Sequence, residues 1–388
     1  MSGMRPGMQS LLDLLRGRPQ NSLFAEPEFA EVIHAAEEES VQPWVAQRLR
    51  VMDGETTPNQ RKRLDEIRRH AQLSAFFWTE TLKSTLGAFH RAQLSAIALK
   101  GPCLAERLYG DASLRPCYDL DLLVRFTDWT RAVQLLTELG FSPNSHADDY
   151  HQAWGRKGIN LELHHNVENP FAFEFDVEAA WTRAQLARFH DVPVWLLAPA
   201  DELEYLCLHA VRHRFERLSL MLDLALAFRR LPFRTAGEPN WGSPVFGNIL
   251  ALGAMMAARL NPEVDPKVPP GIGSEIGLEI PGRQSTRIPA RERDRLETLA
   301  DRLWDELMLA PPPALDWAAQ HRFYLELETP GWSRFRRRWR HGRILLTRLI
   351  DNDFVFAGRF HLHRNWQVRL LRPIRLLMKT LRLSPKTQ

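Results

Sequence analysis

Cysteine is scarce in this chain, and the three present, Cys103, Cys117 and Cys207, follow no pattern. Without a CxxC pair or an even set of spaced thiols, the sequence offers neither a disulfide framework nor a cysteine zinc site. Long apolar runs are missing too, since none reaches the roughly 18 to 20 residues that a membrane helix requires. The opening stretch, MSGMRPGMQSLLDLLRGRP, lacks the extended apolar core of a secretory signal. Together these absences predict a cytoplasmic protein with no membrane span. Acidic residues almost vanish at the end of the chain, where residues 331–388 hold 15 Lys/Arg against 2 Asp/Glu. Everything before them holds 36 Lys/Arg against 45 Asp/Glu, so the overall charge of +4 conceals an acidic body and a basic tail. Tails of this kind meet phosphates or anionic surfaces.

What is present is ordinary globular material: 388 residues, 44% hydrophobic and 25% charged, enough for two domains or one with large additions. Residues 1–94 read as helical, with apolar residues at three- and four-residue steps over 26–39 and 60–93. Pro58 suits the opening of the second of these helices. From Ser95 the texture changes. The apolar run 96–99 ends at Lys100-Gly101-Pro102 and gives way to a helix over 103–109. Residues 119–125 alternate as a strand does, and 129–139 read as a helix closed by Gly140. A hairpin follows, with arms at 150–154 and 159–167 and its turn at 156–158. After a further helix, 192–197 reads as another strand. Helices then return over 201–214, 218–230 and 245–259. The Pro/Gly-rich stretch 261–289 reads as a long loop, and helices resume at Ala290. The organisation predicted is a helical region 1–94, an α/β core 95–198, a helical domain 199–330 and a basic helical tail 331–388.

The chemistry concentrates in Asp119-Leu120-Asp121-Leu122-Leu123-Val124. Successive strand side chains point to opposite faces, so Asp119 and Asp121 share one side, about 7 Å apart, while Leu120, Leu122 and Val124 anchor the other. Two carboxylates this close repel unless a cation neutralises them, and hard oxygen ligands suit Mg²⁺ or Mn²⁺. Ile159-Asn160-Leu161-Glu162-Leu163-His164 alternates in the same way, placing Asn160, Glu162 and His164 on one face. Paired beside the first strand, Glu162 completes a three-carboxylate cluster of the kind that serves two-metal phosphoryl chemistry. Glu162 or Asp121 is also placed to take a proton from an acceptor. Upstream, Gly101 allows backbone to approach a phosphate, and the helix after it offers free N–H groups. Arg115 stands ready as a phosphate contact. Phosphatases and glycosyltransferases that use a DxD pattern place their apolar strand before the aspartates. Here it follows them, and no strand–helix–strand unit precedes it.

These residues carry a resemblance. ALKGPCLAERLYGDASLRPCYDLDLLV resembles the bacterial uncharacterised nucleotidyltransferase family in its apolar-Lys-Gly, downstream Arg and Asp-x-Asp order. INLELHHNV is similar to that family's third-acid strand, LEYLCLHAVRHRFERLSLMLDLALAF to its helical signature, and LLRPIRLL to its usual ending. The resemblance implies a DNA-polymerase-β-like α/β (α+β) nucleotidyltransferase fold, a mixed-sheet core with large helical additions at both ends. It implies that Asp119, Asp121 and Glu162 are the metal-binding and catalytic residues. Lys100-Gly101 stands where the broader superfamily has Gly-Ser, so Lys100 takes the serine's place at the triphosphate. The implied reaction moves NMP from an NTP to an acceptor, a small molecule, a peptide or RNA, with pyrophosphate released.

His209 and His213 sit four apart on a helix, but Ala210 stands where a zinc-protease pattern needs Glu. Two readings stay open for them: a structural pair bonded to acids such as Asp223, or residues lining the nucleotide site. For His164 two readings also stay open: a residue that contacts phosphate or orients Glu162, or a solvated residue on a sheet edge. The nucleotide-binding set expected is therefore Lys100, Gly101, Arg115, His164, His209 and His213. The tail interleaves Arg with Trp, Phe and Leu, and two readings stay open: a mixture that can bind RNA, anionic lipid or an acidic partner, or arginines that cover the acidic body or lie in solvent while the leucines pack. Two other functions fit the chain: a catalytically silent binding protein of the same fold, or an adaptor docking through its basic tail on nucleic acid or another anionic surface.

Overall fold

A computed structural model describes residues 4–52, 56–144, 150–168, 173, 175–231, 244–260, 290–309 and 317–327, with Leu370, Leu371 and Ile374. The expected loop 261–289 and the basic tail 331–388, apart from those three residues, lie outside the described residues. The chain opens with four helices, α1 (Met8–Leu15), α2 (Glu28–Glu38), α3 (Gln42–Val51) and α4 (Pro58–Arg91). The start of α4 is locally encoded. Thr57 and Gln60 form a reciprocal capping box, and Pro58 fills a first-turn position where its missing N–H costs nothing.

The α/β portion then runs β1 (Ile97–Ala98), α5 (Gly101–Tyr109), β2 (Leu120–Leu123), α6 (Trp129–Glu138), β3 (Ser142–Pro143), β4 (His151–Arg156), β5 (Ile159–His164), α7 (Val177–Arg183), β6 (Gln185–Phe189) and β7 (Val192–Leu196). Five further helices follow: α8 (Pro199–Arg212), α9 (Leu218–Arg230), α10 (Pro244–Leu260), α11 (Ala290–Leu309) and α12 (Trp317–Leu327). The seven strands form one mixed sheet in the order β3-β4-β5-β2-β1-β7-β6. The β4–β5 hairpin turns at Lys157 and Gly158, both at positive φ, which matches the twist of a two-residue turn. β3 and β6 carry no clear alternation, and the sequence had not marked them as strands. The acidic strand is shorter than its alternation suggested, so Asp119 precedes β2 by one residue.

The sheet divides the apolar interior. Leu120, Leu122, Val124, Leu161 and Leu163 face Trp78, Leu82, Leu86 and Phe89 of α4 and Ala132 and Leu136 of α6. On the other side Ile97, Leu99 and Leu123 join a larger core shared by α1–α3, the first turns of α4 through Leu64 and Ile67, α5 and α7–α12. The functional side chains emerge on this second face. No described helix is long and apolar enough to cross a membrane.

Candidate active site

β2 and β5 run parallel, and their register sets Asp121 directly beside Glu162. Because Leu120, Leu122, Leu161 and Leu163 are committed to the core under α4, both acids point to the opposite face. β1 brings the cation. Leu99 donates its N–H to the Asp121 main-chain oxygen at 3.0 Å, which carries the next residue, Lys100, to the same place. The Lys100 ammonium lies 3.2 Å from Asp121 Oδ2, with both side chains buried. Gly101 starts α5 at a φ of +73°, a left-handed conformation that a residue with a Cβ adopts only at a cost.

His164 ends β5 and sits between the acids. Its Nε2 is 3.2 Å from Asp121 Oδ1 and 3.3 Å from Glu162 Oε2, and its Nδ1 is 3.3 Å from the Asn166 main-chain oxygen. Every partner is an acceptor, so a ring that donates at both nitrogens, the imidazolium, satisfies them all. Burial opposes that charge, but hydrogen bonds to Asp121 and Glu162 outweigh it and raise the His164 pKa. Burial likewise opposes ionisation of Asp121, yet Lys100 and His164 hold its carboxyl below the usual carboxylate range. Glu162 follows the same balance: burial, and then the charge of Asp121, raise its pKa, and His164, with His151 behind it, more than offsets them and leaves it lowered. Asp119 goes the other way, raised by burial and then by the charge of Asp121, with Lys100 offsetting only part.

Carboxylate oxygens of Asp121 and Glu162 and a ring nitrogen of His164 all lie within 4.8 Å of one another. An oxygen-rich set of this size fits a hard divalent cation. Asp119 stands outside that tight group, although the charges of Asp121 and Glu162 both act on it.

The remaining expected residues are placed as follows. Arg115 is engaged away from the acids. Its Nε and Nη2 both donate to Asp223 on α9 at 2.9 to 3.0 Å, and Tyr109 Oη donates to the same carboxylate at 2.6 Å. His209 is packed edge-on against His213, ring centroids 4.7 Å apart, and burial keeps its pKa well below the ordinary value, aided by Lys100 and His213. The acid at His213 is Glu216, 3.2 Å away, rather than Asp223.

Residues 25–245 match the model of a family described as uncharacterised nucleotidyltransferase. The chain belongs to that family. The matched span covers the whole sheet and every site residue named above. No curated protein and no solved structure matches the chain.

Two parts of this candidate site escaped the reading of its sequence. Arg212, the last residue of α8, donates to Tyr150 Oη at 3.1 Å. The Tyr150 ring lies 4.2 Å from that of His151 at a tilt of 38°, and His151 stacks on His164 at 5.2 Å with 19° between the rings. A ladder of rings therefore joins α8 to the carboxylates. Tyr205, buried on α8, faces the same acids, whose charges add to burial in raising its pKa. The signal for α8 was present as helical spacing: Tyr205, His209 and Arg212 lie four and three residues apart, on one face.

Proposed function

We propose that this chain is an enzyme that transfers NMP from a nucleoside triphosphate to an acceptor hydroxyl or similar nucleophile. The observation that carries the reading is the direct pairing of Asp121 with Glu162 on parallel strands, both on the face away from the α4 core. Asp119, Asp121 and Glu162 would hold Mg²⁺ or Mn²⁺, with His164 at the edge of the set. A divalent ion bound there supplies charge stabilisation for the triphosphate and the departing pyrophosphate.

The chain's own groups account for the remaining work. The acceptor oxygen forms a bond to the α-phosphorus while the bond from that phosphorus to the β-phosphate bridging oxygen breaks, and pyrophosphate leaves. The acceptor proton passes to a carboxylate, for which Glu162, more exposed than Asp121, is the better placed. His164 keeps Asp121 and Glu162 ionised before substrate arrives. Lys100 and the N-terminus of α5, opened by Gly101, would meet the phosphates.

The test is transfer of label. Pure protein is incubated with each α-labelled NTP, Mg²⁺ and a cell extract, and wild type is compared with Asp121→Ala. The expected outcome is labelled product with wild type and a loss of at least ~100-fold in the variant, the scale of removing a charge-stabilising group. Equal labelling by both proteins, or labelling by neither, would overturn the assignment.

A further inference from the structure

Which atom each side chain turns inward tells what the acidic cluster can hold. Asp121 gives Oδ2 to Lys100 at 3.2 Å, and its Oδ1 faces His164 Nε2 at 3.2 Å. Glu162 turns Oε2 toward the same nitrogen at 3.3 Å, whereas His151 Nε2 reaches that oxygen only at 4.0 Å. Neighbouring donors on an ion with bonds of about 2.1 Å stand roughly 3 Å apart, so these three atoms need move little to share one. Asp119, the residue expected beside Asp121, precedes the strand and stands outside the group.

The far side of the ring fits the same role. His164 Nδ1 is 3.3 Å from the Asn166 main-chain oxygen. A ligating histidine gives its second N–H to an acceptor of this kind, which fixes the ring and turns the other nitrogen's lone pair toward the ion. His164 is buried and its ring is stacked on that of His151 at 5.2 Å, so the orientation is set in advance. An ion entering between the acids takes the place of the Nε2 proton, which leaves to solvent.

We propose that His164 is a direct ligand of the divalent ion, through Nε2, and that this nitrogen makes the site favour Mn²⁺ over Mg²⁺. The assignment rests on the nucleotidyltransferase reading above and deepens it. Mg²⁺ prefers oxygen donors alone, whereas a first-row transition ion gains from imidazole. The alternative is that His164 only hydrogen-bonds the acids and never touches the ion. Full-length protein is titrated with Mn²⁺ and with Mg²⁺ by calorimetry, and the Mn²⁺ complex is examined by pulsed electron paramagnetic resonance for coupling to nitrogen. Wild type is expected to bind Mn²⁺ at least ~10-fold more tightly than Mg²⁺, with a nitrogen coupling that changes when the protein carries ¹⁵N-histidine. His164→Gln should lose that coupling and bring the two affinities within about threefold of each other. His151→Phe, which replaces the other ring beside Glu162, should keep the coupling. The isotope result and His151→Phe carry the test if His164→Gln fails to melt cooperatively. Mn²⁺ bound without histidine coupling would overturn the proposal, as would coupling that survives in folded His164→Gln or vanishes in His151→Phe. Those outcomes leave the nucleotidyltransferase reading standing. Wild type that binds neither ion, or Asp121→Ala that binds Mn²⁺ as wild type does, would remove that reading and this inference with it.

Discussion

Arg115 and Asp223 form a buried pair whose two halves depend on each other. Three contacts of 2.9 to 3.0 Å join them, and Tyr109 adds a 2.6 Å hydrogen bond to the same carboxylate. Burial opposes the Arg115 charge, and Asp223 more than restores it, raising the pKa. Removing the acid would leave a guanidinium and a phenol buried without their acceptor. Asp223→Ala is therefore expected to cost roughly 3 to 5 kcal/mol in urea unfolding, with much of it recovered in the double variant Arg115→Met, Asp223→Leu. A cost below ~1 kcal/mol would mean that the pair is solvated rather than buried. The same residues mark a boundary of sequence reasoning. The pairing of Asp121 with Glu162 was legible because a two-residue alternation declares which side chains share a face, whereas Asp119 precedes the strand. The partner of Arg115 was not, because Asp223 lies 108 residues away and only tertiary packing brings it near.

α8 turns two faces to different tasks. Tyr205 feels the charges of Asp121, Asp119 and Glu162, Arg212 those of Glu168 and Glu162, and His209 that of Lys100, while Asp201 and Glu204 lie toward α7, where Arg183 forks onto Asp201. Glu204 is buried, and burial, then the charge of Asp201, pushes its pKa up to about 8, with Arg183 offsetting only part. A carboxyl whose pKa is raised on folding binds its proton more tightly in the folded state. Its contribution is fully present below the unfolded value near 4.3 and is lost as pH rises through the folded value. Stability should thus fall between about pH 4.5 and 8 by roughly 2 to 4 kcal/mol from this group. Glu204→Gln should flatten that part of the curve and raise the melting temperature at pH 8, and unchanged pH dependence in the variant would refute the assignment. The elements themselves were uneven to read. The helices declared themselves by period, and β5 by alternation. β6 did not, because an edge strand with residues 185, 186 and 188 exposed needs no regular apolar face, and β3 is only two exposed residues long.

The interleaving of distant segments decides how the whole molecule holds together. Arg5 donates its main-chain N–H to Met308 and a guanidinium N–H to the Leu307 carbonyl, Arg16 reaches the Arg259 carbonyl, and Glu39 accepts the Leu218 N–H. The first helices thus close against the last ones described, with Met8, Leu11 and Leu12 in one core with Leu299, Leu303 and Phe323. The sheet between them is covered on its other face by α4. A fragment of residues 95–198 would keep the acids and lose that cover. Leu82, Leu86 and Phe89 alone bury side chains worth on the order of 5 to 9 kcal/mol together. That is comparable to the whole net stability of an ordinary domain, ~5 to 15 kcal/mol. The fragment is therefore expected to show no cooperative thermal transition by circular dichroism and to bind a hydrophobic dye, whereas residues 58–327 should regain part of the melt because α4 and α8–α12 return. A sharp transition in the 95–198 fragment would show that the sheet supports itself, and the helices would then be additions to an autonomous core rather than parts of it.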